Sequence, residues 1–386
     1  MIAYSTPWLE ALQVRRQAAR WHRKNLIGTA QYEAILAAYP VGFYTPNVFV
    51  RIGLALFCWI LTLAAFGLFA LIFMEGSSGT ASVMLLLFGG GLFAALEYTI
   101  HTKHHYRSGI DDALLYSALG SVMSGFATLV PGLEDDFLGL SVLGLSVLTF
   151  GAVRYADKLV TGFAFHCALA VVFLTVAKIG PVGEAVLPFV LMAFSGIGYA
   201  LLRRLRGQAG LRPWEACLRV LEVLCLVSFY LGGNYFVISE VSEAWFGAGA
   251  VPLAIIFYAF TALVPVLYIV FGLRQRDRVL LQAGMALLVL SALTFRYYFS
   301  LGHPEILVTV AGAALVVFAY VVIQLLKRGN LPFTYTREAE EPEEEQELES
   351  LVVNEALSRS VQGQPSAEPN PFGGGQFGGG GSSGNY

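Results

Sequence analysis

Ile52-Gly-Leu-Ala-Leu-Phe-Cys-Trp-Ile-Leu-Thr-Leu-Ala-Ala-Phe-Gly-Leu-Phe-Ala-Leu-Ile-Phe73 is an uncharged and almost wholly apolar run, and its length decides the fold class. A bilayer core about 30 Å thick takes about twenty helical residues to cross. Comparable runs recur at 82–100, 112–130, 137–153, 159–177, 184–202, 215–237, 250–272, 279–298 and 305–326. They lack the period-two alternation over about ten residues that marks a membrane β-barrel strand. Of the 386 residues 56% are hydrophobic and only 13% charged, against roughly a quarter charged in an ordinary soluble domain. The expected fold is all-α, a polytopic transmembrane helical bundle of about ten spans.

Orientation follows from the connections. Short cytoplasmic loops carry an excess of Lys and Arg. Here every second connection is basic: Arg15, Arg16, Arg20, Arg23, Lys24 and Arg51; Lys103 and Arg107; Arg154 and Lys158; Arg203, Arg204, Arg206 and Arg212; Arg274, Arg276 and Arg278; Lys327, Arg328 and Arg337. The intervening loops carry Glu75, Glu134 to Asp136, Glu184 with Lys178, Glu240 with Glu243, and Glu305. Both termini are therefore expected in the cytoplasm, N-in and C-in. No signal peptide opens the sequence, so the first span is expected to serve as the insertion signal.

Three regions follow. Residues 1–50 read as a cytoplasmic amphipathic helical hairpin, with Thr6-Pro7 and Thr29 at its helix starts, a basic face along Arg15 to Lys24, and Pro40 as its stop. Residues 51–328 form the transmembrane domain. Residues 329–386 change character: from Glu338 onward there are ten Glu and one Arg, and the chain ends in a Gly-rich stretch carrying Phe372, Phe377 and Tyr386. That tail is expected to be disordered and cytoplasmic, and to recruit a protein partner through its spaced aromatics. The four cysteines lie in apolar runs without a CxxC pair and read as packing residues.

Titratable groups concentrate in Glu97-Tyr-Thr-Ile-His101-Thr-Lys-His104-His105-Tyr-Arg107-Ser-Gly109-Ile-Asp111-Asp112. On a continuing helix Glu97 and His101 are four apart, and His101 is three and four from His104 and His105, so they would share a face. One carboxylate with two or three imidazoles suits a divalent metal, which makes Glu97, His101, His104 and His105 candidate ligands, although no cofactor is required. The same residues with Asp111 and Asp112 are candidates for a proton or cation relay or for pH sensing. They equally suit an interfacial cluster that meets lipid headgroups. His101 to His105 matches one HxxHH box of membrane desaturases, but the further boxes of those enzymes are missing. In the seventh run Glu215, Arg219 and Glu222, spaced four and three apart, are expected to pair along one face. Asn234 and His166 are lone polar groups expected to hydrogen-bond between helices.

Asn25-Leu-Ile-Gly28-Thr-Ala-Gln-Tyr-Glu-Ala-Ile35 and Tyr106-Arg-Ser-Gly-Ile-Asp-Asp-Ala-Leu-Leu-Tyr116 resemble segments of an uncharacterised bacterial group of predicted multi-pass membrane proteins, a domain of unknown function. The resemblance implies the bacterial inner membrane and carries over no catalytic residue. The leading functional expectation is a non-enzymatic scaffold or sensor with a partner-recruiting tail and the lipid bilayer as its other partner. A secondary transporter is the alternative and a metal-dependent membrane enzyme the third reading. Nothing in the sequence suggests a nucleic-acid surface.

Overall fold

The computed structural model describes residues 2–73, 78–247 and 253–298, with residues 312 and 320. The run at 305–326, apart from residues 312 and 320, lies outside the described residues, as does the tail beyond 329. The chain divides into units Met1–Arg337 and Glu338–Tyr386, and only the first contains described residues.

Among the described residues there are twelve α-helices: α1 (Thr6–Arg23), α2 (Thr29–Ala38), α3 (Val48–Phe73), α4 (Ser78–Lys103), α5 (Ile110–Leu129), α6 (Phe137–Tyr155), α7 (Lys158–Ala177), α8 (Pro181–Leu205), α9 (Glu215–Gly233), α10 (Tyr235–Phe246), α11 (Ala254–Gln275) and α12 (Arg278–Tyr298). Eight of them, α3, α4, α6 to α9, α11 and α12, are long and apolar enough to cross a membrane. The protein is a multi-pass integral membrane protein. Its outer surface agrees with that assignment, since Leu56, Phe57, Ile60, Leu63, Leu68 and Leu71 of α3 are each more than half exposed. Such a stripe is stable against lipid and would be an aggregation surface in water.

α5 falls outside those eight because it carries Asp111, Asp112 and several small polar residues, and its position explains how it tolerates them. It packs against α3, α4 and α6, and Asp111, Ala113, Leu114, Leu115, Ala118, Leu119 and Gly125 are all buried. A helix enclosed by protein need not be apolar on every side. α9 holds the equivalent place in the second half, touching α7, α8, α10, α11 and α12.

Local chemistry sets the ends. Asp136 and Asp157 cap α6 and α7 by accepting from Leu138 N at 3.2 Å and Val160 N at 2.8 Å. In the amino-terminal region Ser5 and Gly28 occupy the cap positions, one residue before the expected Thr6 and Thr29. α1 buries Leu9, Ala11 and Ala18 and leaves Trp21 exposed.

The largest departure from the hydropathy pattern is in the seventh run, which the sequence carries through to residue 237. The helix stops at Gly233, Asn234 takes an extended conformation with ψ of 124°, and α10 starts at Tyr235. The Asn234 side chain caps α10 through Val237 N at 3.3 Å while its amide donates to Tyr230 OH at 2.8 Å and Thr294 Oγ1 at 3.1 Å. A buried amide so fully partnered stabilises the break that apolar neighbours would otherwise disguise.

Glycine admits a close helix contact between α4 and α5. A Cβ on Gly89 would stand 2.8 Å from Val122 Cγ2 and 3.2 Å from Ala118 O on α5, whereas one on Gly90 or Gly91 would meet nothing within 4 Å. Gly89→Val is expected to destabilise by about 1–3 kcal/mol through overpacking. Gly90→Ala is expected to be neutral or stabilising by up to about 1 kcal/mol. Thermal unfolding of the two variants in the same detergent checks the contrast, and equal melting temperatures would refute the α4–α5 contact.

Candidate functional site

The site is built where α4 ends. α4 stops at Lys103 because the next residues leave right-handed helix: His104 has φ of 54°, Arg107 of 49° and Gly109 of 89°. Only glycine suits the last position, since a Cβ there would collide with Arg51 O on α3. The turn points its amides inward at Asp111, which is 2% exposed. Its carboxylate accepts from Arg107 N at 2.7 Å, Ser108 N at 2.8 Å, Gly109 N at 3.1 Å, Ser108 Oγ at 3.1 Å and Tyr4 OH at 3.3 Å. A buried charge survives on such a set of donors, aided by the amino-terminal end of α5.

Tyr4 brings the amino terminus into this junction. Burial, then the neighbouring Asp111 charge, pushes its phenol well above the ordinary range, so it remains a donor. Ala3 N donates to Arg154 O at 2.8 Å. The Tyr4 ring meets Tyr106 edge-on at 5.0 Å, and Trp8 meets Phe43 and His104 edge-on at 5.2 and 4.9 Å. The segment before α3 closes the other side: Tyr44 N donates to His104 O at 2.9 Å and Tyr106 N to Tyr44 O at 3.3 Å.

The three clustered histidines therefore separate. His101 stays on α4, its Nε2 at 2.9 Å from Glu97 Oε2. His104 turns to Trp8. His105 packs on Tyr44, and its Nδ1 lies 2.8 Å from Ser108 Oγ. The shared face inferred from spacing would need α4 to continue past Lys103. Among the described residues no group of three or more His, Cys, Asp or Glu is arranged to hold a metal ion.

The carboxylates separate likewise. Asp112 pairs with Arg51 on α3 at 2.8 Å. Glu97 receives both arms of Arg154 from α6, Nε to Oε1 at 2.9 Å and Nη2 to Oε2 at 3.0 Å, and Tyr155 OH at 2.8 Å. In the second half Glu215 and Arg219 lie 3.4 Å apart, but Glu222 is buried and turns to Arg206 at 3.4 Å. Arg206 also lies 3.9 Å from Asp277, which caps α12 through Val279 N and Leu280 N. Tyr4, Arg51, Arg154, Tyr155, Arg206 and Asp277 are participants that sequence reasoning missed. The basic loops alone hinted at the arginines.

No family model, curated protein or solved structure matches this chain. The arrangement itself shows what it can do. Each carboxylate is fixed by partners on another element, so the cluster clamps the ends of α3 to α6 to one another and to the amino terminus.

Arg154→Leu leaves Glu97 with Tyr155 and His101 alone and is expected to cost roughly 1–3 kcal/mol. Adding Glu97→Gln is expected to restore part of that loss, because the uncompensated charge goes with it. Melting temperatures of the two variants and the double variant check this, and a strictly additive double variant would count against the pair.

Proposed function

We propose that the protein is a non-enzymatic membrane sensor or scaffold in which the amino-terminal hairpin is held on, or released from, the α4–α5 junction. The observation that carries this reading is the Tyr4–Asp111 bond, buried and spanning 107 residues of sequence. It joins the hairpin to the membrane bundle through a turn that also contains an imidazole, His105. α2 buries no residue and leaves a surface available for a partner. The remaining parts of the reading rest on the sequence: ten spans, both termini in the cytoplasm by the positive-inside rule, and a partner-recruiting tail over 329–386. The bacterial inner membrane and membership of the uncharacterised group rest on the resemblance.

His105 gives the sensor its input. Burial, with the Lys103 charge, lowers its proton affinity, and Asp111 acts in the opposite sense. With the folded value depressed, His105 contributes stability that is present above the ordinary imidazole value of about 6.5 and is lost as pH falls through the folded value. Protonation also places a cation beside Ser108, whose hydroxyl serves Asp111. A transporter relaying protons through Glu97, His101, His104, His105, Asp111 and Asp112 is the second reading. The fixed and separate partners of Glu97, Asp111 and Asp112 favour the clamp over it.

The test is proteolysis of the hairpin at its exposed turn near Leu26 in nanodisc-embedded protein. Cleavage is expected to accelerate several-fold on going from pH 7.5 to 5.5 in the wild type. In His105→Asn, which keeps a polar group without titration, the rate is expected to stay constant. A wild type without pH dependence, or a variant that retains it, would overturn the sensor reading.

A further inference from the structure

A second site lies in the other half of the bundle, independent of the hairpin junction. α8, α9 and α11, with Leu280 of α12, line an open cavity of about 250 Å³ that includes Ser195, Tyr199, Arg203, Phe229, Tyr268 and Gln275. On α8 Ser195, Tyr199 and Arg203 are spaced four and four, so they form one polar line down a single face. Eight residues of helix separate the first from the last by about 12 Å. Ser195 is fully buried and Gln275 is exposed, which makes the serine the closed end and the Arg203–Gln275 edge the mouth.

One end of that line has unmet chemistry, and the other carries a cation held by neutral groups. Among the described residues, Ser195 Oγ is the one buried side-chain nitrogen or oxygen without a hydrogen-bond partner. Ser141, Ser146 and Thr175, elsewhere in the bundle, donate to the carbonyl four residues back, and Ser195 does not. A buried hydroxyl left unpaired is costly, and its usual explanation is a missing partner. At the mouth, Arg203 donates from Nη1 to the Gln275 amide oxygen and, at 3.3 Å, to Tyr199 OH. Both are neutral acceptors. The neighbouring carboxylates Glu222 and Asp277 lie 3.4 and 3.9 Å from Arg206, and the Arg203 charge also acts on Glu222. Between the ends the wall is apolar and aromatic, and Tyr268 turns its hydroxyl away by donating to Leu226 O at 3.2 Å.

We infer that this cavity binds a small aromatic carboxylate carrying a second oxygen at its far end. The carboxylate lies on Arg203 with Tyr199, the ring lies against Phe229 and Tyr268, and the distal oxygen accepts from Ser195. The volume supports a small ligand, since drug-sized pockets run from about 300 to 1,000 Å³. A guanidinium suits a carboxylate because its planar donors match both oxygens.

The probes are 4-hydroxycinnamate, cinnamate, which lacks the distal oxygen, and methyl 4-hydroxycinnamate, which lacks the charge. Binding is measured by calorimetry on the full chain in nanodiscs, with empty nanodiscs subtracted. The wild type is expected to bind 4-hydroxycinnamate about tenfold or more tightly than either analogue. Arg203→Gln is expected to weaken both acids. Ser195→Ala, which removes an unpaired hydroxyl and keeps the fold, is expected to erase the preference for 4-hydroxycinnamate over cinnamate. The inference is overturned if the wild type binds none of the three, if the ester binds as well as the acid, or if Ser195→Ala keeps the preference.

Discussion

A carboxylate buried at the end of a membrane bundle has to be given donors, and the way Asp111 is supplied with them organises the amino-terminal half of this protein. Three come from backbone amides of the α4–α5 turn, one from Ser108 and one from Tyr4. The turn can aim its amides inward only by leaving right-handed helix at His104, Arg107 and Gly109. That requirement ends α4, scatters the three histidines, brings Arg51 of α3 against Gly109 and draws the amino terminus over the bundle. Charge-assisted bonds of this kind are stronger than neutral ones, and leaving the charge unpaired costs more than each bond contributes.

The same physics recurs along this end of the bundle with different partners. Glu97 takes a two-armed arginine from α6, Asp112 takes Arg51, and Arg206 stands between Glu222 and Asp277. Lipid provides little hydrophobic drive for helices to associate, so polar contacts and close approach through small residues carry a large share of the specificity. Gly89 and the Ser82–Thr128 hydroxyl pair at 2.9 Å do this within the α4–α5 interface. Asn234 does it where α9 breaks. The cavity along Ser195, Tyr199 and Arg203 is the exception, because there polar groups line a space and are not all spent on one another.

The helices were legible because twenty-residue apolar runs and alternating basic loops are strong, local signals. Predicted runs at 137–153 and 279–298 correspond to α6 and α12 within two residues at each end. α5 was legible by length even though its polar residues set it apart from the lipid-facing helices. The break at Asn234 was not, since Tyr235, Phe236 and Val237 continue the apolar pattern and only the tertiary partner Thr294 reveals the reason for the stop. The position of the chemistry was legible at Glu97 to Asp112, but its wiring was not. Spacing places His104 and His105 with His101 only if the helix continues, and the partners Tyr4, Arg51 and Arg154 lie 107, 61 and 57 residues away from the carboxylates they serve. Ser195 and Tyr199 lie inside the apolar run at 184–202 and Arg203 among the loop arginines, so their four-and-four line went unread in the sequence.

The central claim is that the amino terminus and the α4–α5 turn form one energetic unit through Tyr4 and Asp111. A double-mutant cycle with Tyr4→Phe and Asp111→Asn, read as unfolding free energies in mixed micelles, measures that unit directly. The account expects a coupling of about 0.5–1.5 kcal/mol, the range for groups sharing one hydrogen-bond network. Additive costs, with no coupling beyond error, would show that the two residues are stabilised separately and would contradict it.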